Sequence, residues 1–288
     1  MRLVLLALLL FPGCSKEKES STDSGEADTD TDTDADTDTD TDTDTDTGPF
    51  VDTSLSGVFT GTVVDALGNP VPDAKIAFCL GICRIADSDA NGQFVYNGFH
   101  TDTYSFDIKM PGTDIAPLLA PLDMEAGVDV SMSFTIFELE ADKVLPEVAT
   151  DVELVPGFWV NLGKDNIDMG FSPQDTTTGV RVPVEGHGWL AHSSLASDFE
   201  NGAISGMWYL EPWEAVGTPD PLHFRIANEN GWSPGTAVTV WAASYKDFAF
   251  LDAGPAAVSS DGAWIEPVPG EGGGIPVLST VVVIDPTP

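Results

Sequence analysis

The sequence predicts an all-β protein whose folded part follows an N-terminal anchor and a long acidic linker. Short runs of alternating apolar and polar residues, bounded by Gly, Pro, Asn and Asp, recur from residue 56 onwards, which is typical of strands and tight turns. The 288 residues are 42% hydrophobic, enough to bury a core in one or two domains. We therefore expect a signal peptide at residues 1–13, a disordered Asp/Thr-rich linker at 14–55, and β-sandwich-type domains at 56–140 and 145–288.

The N-terminus has the features of an export signal. Arg2 supplies a positive charge, and the apolar run Leu3–Phe11 is too short to span a bilayer. Gly13 and Cys14 follow, and this order resembles the bacterial lipoprotein signal, in which a cysteine after a small residue is lipidated and becomes the mature N-terminus. The resemblance implies a lipid on Cys14, and Ser15 fits a location at the bacterial outer membrane or cell surface. An ordinary secretory signal with an unrelated cysteine is the alternative.

An alternating acidic tract forms most of the predicted linker. From Asp28 to Asp46 every even-numbered residue is Asp, and the odd positions are Thr except for Ala35. Such a segment has no apolar face to bury, so it cannot offset the entropy cost of folding, and its repeated charges keep it extended. We expect a solvated spacer. O-glycosylated threonines are one alternative, and weak calcium association is another, although the tract lacks the turn glycine and bidentate acid of a calcium loop.

The charge of the chain argues against one class of partner. Its 47 acidic and 11 basic residues give a formal net charge of −36, and 33 of those acids and 8 of those bases follow residue 50. The folded part is therefore acidic in its own right and would repel phosphate backbones, so we expect no nucleic-acid binding. No later apolar run approaches the length of a membrane span. We expect the lipid on Cys14 to be the only attachment to the membrane.

The first predicted domain consists of about six short strands with no convincing helix. Residues 56–64, 74–79 and 93–99 have strand-like patterns, separated by the turn sequences Gly-Asn-Pro and Asp-Ala-Asn-Gly. The runs TYSFDIKM and VDVSMSFTIFEL complete the unit. This density of strands in about 80 residues is typical of a small β-sandwich.

Several motifs of this domain together resemble a known module. GTVVDALGNPVPDAKIAF, followed by DSDANGQFVYNGFHTDTYSFDI, is similar to the carboxypeptidase regulatory-like domain, a transthyretin-like β-sandwich of bacterial surface proteins. The matching features are the strand ending in Val-Asp, the Gly-Asn-Pro-Val turn, Pro-x-Ala before the next strand, and the Asn-Gly-Gln-Phe turn. FHTDTY departs from the usual Gly before Tyr. The resemblance implies an accessory module that spaces or supports other domains and carries no peptidase residues.

Cys79 and Cys83 are the two cysteines that remain if Cys14 is lipidated. In an exported chain, a pair this close across the turn at Gly81 predicts a disulfide that joins a hairpin. Because the closed loop is short, the chain-entropy model gives a stabilisation of about 2 kcal/mol. Metal binding with His100 is the alternative, and the absence of a second Cys or His pair nearby disfavours it.

The second predicted domain is also rich in strand-like runs, and it contains every tryptophan of the chain. Runs such as GVRVPVEG, GMWYLEPW, TAVTVWAAS and VLSTVVVI are separated by Gly, Pro, Asn and Asp. The stretch at residues 224–268 loosely resembles a β-module of large bacterial surface proteins, which implies a surface or adhesion context. The tryptophans are Trp159, Trp189, Trp208, Trp213, Trp232, Trp241 and Trp264.

No local motif predicts catalysis or a cofactor. The sequence has neither the HExxH zinc motif nor the Gly-x-Ser-x-Gly nucleophile motif. His187 and His192 are five residues apart, which matches neither one helical face nor one strand face. They could join Asp198, Glu200 and His223 in a metal site only through the fold, and histidines in loops and strand ends are the favoured interpretation. We expect no metal and no cofactor.

The tryptophans are the best indication of function. Exposed aromatic rings can stack on sugar rings, whereas buried ones fill a core. Trp208, Tyr209 and Trp213 are concentrated among polar residues and are our candidate ligand-binding residues, although Trp208 and Tyr209 point to opposite faces of a strand, so one is expected in the core. We expect a non-catalytic binding or structural role, with an extracellular glycan or protein as partner. A carbohydrate-active or peptide-hydrolysing enzyme with its site in the C-terminal domain is the alternative, and a passive scaffold is a third possibility.

Overall fold

The computed structural model describes residues 55–170 and 173–286. Strands make up 50% of the described residues and helix 4%, so the predicted all-β class is confirmed. The predicted signal peptide, Cys14 and nearly all of the predicted linker lie outside the described residues. None of the helices in the described ranges has both the length and the apolar character needed to cross a membrane.

The N-terminal half of the folded part is a sandwich of two small sheets. One sheet has the order β4-β1-β7, with β1 and β7 parallel, and the other has the antiparallel order β3-β2-β5-β6. The strands are β1 (Ser56–Val64), β2 (Lys75–Leu80), β3 (Ile82–Asp87), β4 (Gln93–Phe99), β5 (Asp102–Lys109), β6 (Leu118–Met124) and β7 (Val130–Thr135).

Aromatic side chains fill the space between these two sheets. The ring centroids of Phe59 and Phe78 lie 5.4 Å apart, and those of Phe106 and Phe134 lie 4.4 Å apart, within the range of favourable ring contacts. Phe94 completes the cluster and packs directly over Gly61, where an added Cβ would overlap its ring. The alternation of β1 therefore places Phe59 in the core and leaves room at residue 61 for a neighbouring ring.

The C-terminal half is built on one long sheet. Its strand order is β8-β12-β13-β21-β16-β18-β19-β15-β10-β9, with β17 paired to β16, and a separate small sheet has the order β11-β14-β20. The strands are β8 (Lys143–Val144), β9 (Thr150–Val155), β10 (Phe158–Leu162), β11 (Ile167–Asp168), β12 (Thr176–Val182), β13 (Ile204–Glu211), β14 (Ala215–Gly217), β15 (Phe224–Ala227), β16 (Ala237–Ser244), β17 (Ala249–Asp252), β18 (Ala256–Val258), β19 (Trp264–Pro267), β20 (Val277–Leu278) and β21 (Thr280–Ile284).

The long sheet curves around a core of its own. Strand β9, at one end of the strand order, also contacts β12 near the other end. The enclosed core contains Phe158, Trp208, Phe224, Val240 and Val281, all buried. A 3-10 helix (Gly188–His192) and α1 (Ala196–Glu200) lie between β12 and β13.

The two halves share buried apolar contacts. The core cluster of the first sandwich, which includes Phe134, continues into Trp189, Tyr209 and Val282 of the C-terminal half. The described residues accordingly belong to one compact unit. The domain boundary between residues 140 and 145 stays a prediction.

The predicted disulfide is present. Cys79 and Cys83 are directly opposite partners on β2 and β3, and their Sγ atoms are bonded. The hydroxyl of Tyr245 lies 3.2 Å from the sulfur of Cys79 and 2.7 Å from that of Cys83. The hairpin is thus joined covalently and also contacts the C-terminal half.

Candidate functional site

Two of the three predicted ligand-binding residues lie inside the protein. Trp208 is 5% exposed and packs against Phe158 with ring centroids 5.1 Å apart, while Tyr209 is fully buried with its hydroxyl 3.4 Å from Nδ1 of His187. Strand β13 separates two apolar cores, so successive side chains enter one core or the other. Neither ring presents a face on which a ligand could stack.

Trp213, the third predicted residue, lies partly exposed on the turn after β13. Its ring is covered by a cation, because Nζ of Lys109 lies 3.2 Å from the ring centroid. The ring of Tyr245 is 5.7 Å away in a tilted arrangement. Trp213 is thus the one partly exposed member of the predicted set, and its ring already contacts Lys109 and Tyr245.

A different aromatic pair lies on an outer face of the long sheet. Trp159 of β10 and Trp264 of β19 flank Arg225 of β15, and the three strands are neighbours in the sheet. Trp159 and Arg225 are direct cross-strand partners, and Trp264 is opposite Ala227, two residues along the same face as Arg225. We call Trp159, Arg225 and Trp264 the tryptophan–arginine strip.

Strand alternation explains why these side chains face outwards. In β10 the residues Phe158, Val160 and Leu162 are buried, which turns Trp159 and Asn161 to the opposite face. Strands β15 and β19 follow the same pattern, with isoleucines inside and the members of the strip partly exposed. The long sheet thus buries one apolar face and displays two indoles on the other.

The guanidinium group of Arg225 links the two indoles. Its Cζ lies 5.7 Å from the ring centroid of Trp159 and 5.5 Å from that of Trp264, within the range of cation–π contact. Arg225 Nη2 also donates to Asp151 Oδ2 at 2.8 Å, and Asn161 Nδ2 donates to Asp151 Oδ1 at 3.0 Å. These contacts hold the strip in one geometry before any ligand arrives.

The strip offers flat apolar area with hydrogen-bonding groups at its edge. The two indoles are separated by two strand spacings, or about 10 Å across the sheet. Asp151 and Asn161 border it on β9 and β10, and Glu266 lies beside Trp264 on β19. Because Asp151 pairs with Arg225, the centre of the strip carries little net charge. Stacking area edged by amide, carboxylate and guanidinium groups suits a ligand that has apolar ring faces and many hydroxyl groups.

The sequence contains a signal for the strip. Clustering of tryptophans along the chain favours residues 208–213 and misses Trp159 and Trp264. Alternation is the better guide. In a strand, Trp159 lies on the same face as the polar Asn161, and Trp264 lies on the same face as Glu266. Trp208 lies on the same strand face as Leu210, and an apolar neighbour of this kind is typical of a buried face.

The histidines considered for a metal site are not gathered by the fold. His187 is fully buried beside Trp189, whose Nε1 donates to its Nδ1 at 3.2 Å. Within residues 55–170 and 173–286, no group of three or more His, Cys, Asp or Glu side chains is arranged to hold a metal ion.

Comparison with known proteins gives only distant structural likenesses. No known family and no curated protein matches the sequence. The full-length major pilin SpaD from Corynebacterium diphtheriae aligns at 11% identity and a TM-score of 0.26, over 82% of this chain and 58% of that one. A Bacteroides uniformis protein provisionally described as carbohydrate-binding aligns at 12% identity and 0.26, over 80% and 99%. The major pilin subunit BcpA of Bacillus cereus aligns at 9% and 0.22, over 79% and 95%.

These TM-scores are too low to carry an argument about function. The chain spans little more than half the length of the SpaD pilin. The functional argument therefore rests on the residues of this chain.

Proposed function

We propose that this protein is a lipid-anchored protein of the bacterial outer membrane or cell surface that binds a neutral glycan without catalysis. The observation that carries the proposal is the tryptophan–arginine strip, two partly exposed indoles held across three neighbouring strands by one arginine. The apolar run at residues 3–11 and the Gly13-Cys14 sequence after it are the features that support the location.

The chemistry of the strip favours a sugar polymer over other ligands. The apolar C–H faces of sugar rings stack on indoles, and their hydroxyl groups can pair with Asp151, Asn161 and Arg225. An acidic polysaccharide would be repelled, because the folded part holds many more acidic than basic residues and Arg225 is already paired with Asp151. A neutral glycan is therefore the best fit.

The shape of the strip favours binding over hydrolysis. A glycosidase needs two carboxyl groups set on either side of the scissile bond, with a cleft that orients the substrate. Trp159 and Trp264 instead lie on the outer face of a sheet, where one side of a bound chain would remain in solvent. This arrangement supports holding a polymer in place.

The acidic linker gives the proposed binding face its reach. From Cys14 to Ser56 a fully extended chain would span about 140 Å, and the alternating aspartates favour extended conformations. A binding face on such a spacer could contact polymers beyond the immediate membrane surface.

The proposal is tested by removing the two indoles of the strip. We expect Trp159→Ala and Trp264→Ala each to weaken binding to a neutral polysaccharide about tenfold, and the double variant to abolish it, since each loses one stacking platform. Affinity electrophoresis and calorimetry against a panel of neutral and acidic bacterial polysaccharides would measure this. Trp241→Ala is the matched control, because Trp241 is partly buried on β16, away from the strip. Binding that survives the double variant, or no binding across the neutral panel, would overturn the proposal.

A further inference from the structure

A cavity separate from the tryptophan–arginine strip lies where the first sandwich meets the C-terminal half. Its volume is about 380 Å³, and it opens between strands β2, β3 and β5 on one side and Trp213 and Tyr245 on the other. Ala77 and Ile85 supply apolar walls. None of these residues belongs to the tryptophan–arginine strip.

One carboxylate in this cavity has no hydrogen-bond partner. Asp107 is 5% exposed, its carboxylate accepts no hydrogen bond from the described residues, and Lys109 is the cation that acts on it. Burial raises the pKa of Asp107 to about 6, and the charge of Lys109 offsets this in part. A buried carboxylate without a partner costs free energy, which proteins tolerate where a ligand supplies the missing contact.

Two cationic side chains, Lys75 and Lys109, also line the cavity, and each is held by another contact. Nζ of Lys109 lies over the ring of Trp213, and Nζ of Lys75 pairs with the exposed Asp87 at 2.8 Å. Glu214 adds a second carboxyl group nearby, fixed by the backbone N–H of Tyr245, which donates to its Oε1 at 2.8 Å. Because Lys109 acts on both Asp107 and Glu214, two carboxyl groups share one cation here, and an additional positive charge is favoured.

We infer that this cavity binds an alkylammonium group on an apolar stem, with the ammonium on Asp107 and the stem along Ala77 and Ile85. A primary ammonium supplies the hydrogen bonds and the charge that Asp107 lacks, and a chain of methylene groups matches the apolar walls. The aromatic ring of Tyr245 completes the wall and can contact the cation from the side. A lysine side chain and a free amine share this chemistry.

The acidic surface of the folded part would concentrate such cations near the cavity. Cations accumulate around a protein of this charge at low ionic strength, which raises association rates for any positively charged ligand. Because this effect is unspecific, the test must separate attraction to the whole protein from contact with Asp107.

Calorimetry with n-pentylamine and with uncharged n-pentanol, at constant ionic strength, provides that test. We expect saturable binding of the amine and none of the alcohol. Asp107→Asn should weaken amine binding about thirtyfold or more, since a desolvated charge pair loses one partner. Asp198→Asn removes the same charge from the short helix α1 and should leave the affinity unchanged.

The thermal stability of the same variants gives an independent readout. Because Asp107 is buried without a hydrogen-bond partner, Asp107→Asn should raise the Tm of the free protein while it weakens amine binding. Equal amine affinities in the wild type and Asp107→Asn would overturn the inference. A lower Tm for Asp107→Asn, together with no amine binding by the wild type, would also overturn the inference. Asp107 would then be a structural residue with Lys109 as its counter-ion.

A lysine derivative distinguishes the two sources of the ammonium group, a lysine side chain and a free amine. If the ligand is a lysine side chain of another protein, N-acetyl-lysine methylamide should bind more tightly than n-pentylamine, and the reverse order indicates a small amine. The double variant of Trp159 and Trp264 should retain amine binding, so this inference and the proposed glycan binding can fail separately.

Discussion

At the scale of single residues, His187 is a titratable side chain held in an apolar interior. Because Trp189 Nε1 donates to Nδ1 of His187, the neutral imidazole carries its proton on Nε2. This Nε2 has no hydrogen-bond partner in the described ranges. Burial lowers the pKa of His187 to about 4, since a charged imidazolium would lose its hydration. Folding therefore requires the neutral form.

We expect the stability that depends on neutral His187 to decline in acid. An unfolded histidine titrates near pH 6.5 and the folded one at about 4, so the unfolded chain binds the proton first as the pH falls. The contribution of neutral His187 to the free energy of unfolding is complete above about pH 6.5. It falls by about 3 kcal/mol as the pH is lowered to about 4. Urea unfolding at several pH values, for the wild type and His187→Gln, would measure this loss as a difference between the two proteins.

Two buried carboxyl groups change stability in the opposite direction. Burial raises the pKa of Asp107 to about 6 and that of Glu214 to about 7, so the folded state binds these protons first and gains stability as the pH falls through those values. Both groups are common to the wild type and His187→Gln, and the difference between the two profiles isolates the histidine. Parallel profiles would show that His187 does not titrate in this way.

At the scale of strands, alternation was predictable where one face of the sheet meets solvent. The strands β1 and β4 follow the predicted pattern, with Phe59, Phe94 and Tyr96 facing the core. Strand β6 is buried on almost every residue and contains Pro121, so its sequence shows no period of two. It tolerates the proline because it is an edge strand.

The strip shows what the sequence could and could not reveal about the site. The alternation of apolar and polar residues around Trp159 and Trp264 predicts that each faces outwards from its own strand. That they flank Arg225 depends on the pairing of β10, β15 and β19, which are separated by up to about a hundred residues along the chain. The same holds for the cavity at Asp107, which needs β5 to meet Tyr245. Such non-local pairings leave no local pattern in a single sequence.

The Cys79–Cys83 hairpin gives a stability prediction for an element. We expect the double variant Cys79→Ser, Cys83→Ser to lose about 2 kcal/mol of unfolding free energy, because the crosslink no longer restricts the unfolded chain. Urea unfolding of the oxidised wild type, the reduced wild type and the variant would measure the change. The reduced wild type should resemble the variant, and equal midpoints for all three proteins would contradict the prediction.

At the scale of the whole molecule, attachment to the membrane is predicted to depend on one residue. Cys14→Ala should move the protein from the membrane fraction to the soluble fraction of a double-membraned host, because an apolar acyl anchor is lost. Fractionation, together with the mass of the N-terminal peptide, would measure this. The Cys79→Ser, Cys83→Ser variant is the control and should remain with the membrane. Membrane association of Cys14→Ala equal to that of the wild type would rule out the lipid.

The parallel pairing of β1 with β7 has a mechanical consequence. A pull from an N-terminal anchor would reach the folded part at Ser56, the first residue of β1, and would pass towards the C-terminal half through the far end of β7 at Thr135. In a parallel pair these two points lie at opposite ends, so the strands are loaded in shear. The hydrogen bonds between β1 and β7 then share the force and do not open one after another. The geometry would suit the proposed role, in which the protein holds a polymer while it is tethered at its N-terminal end.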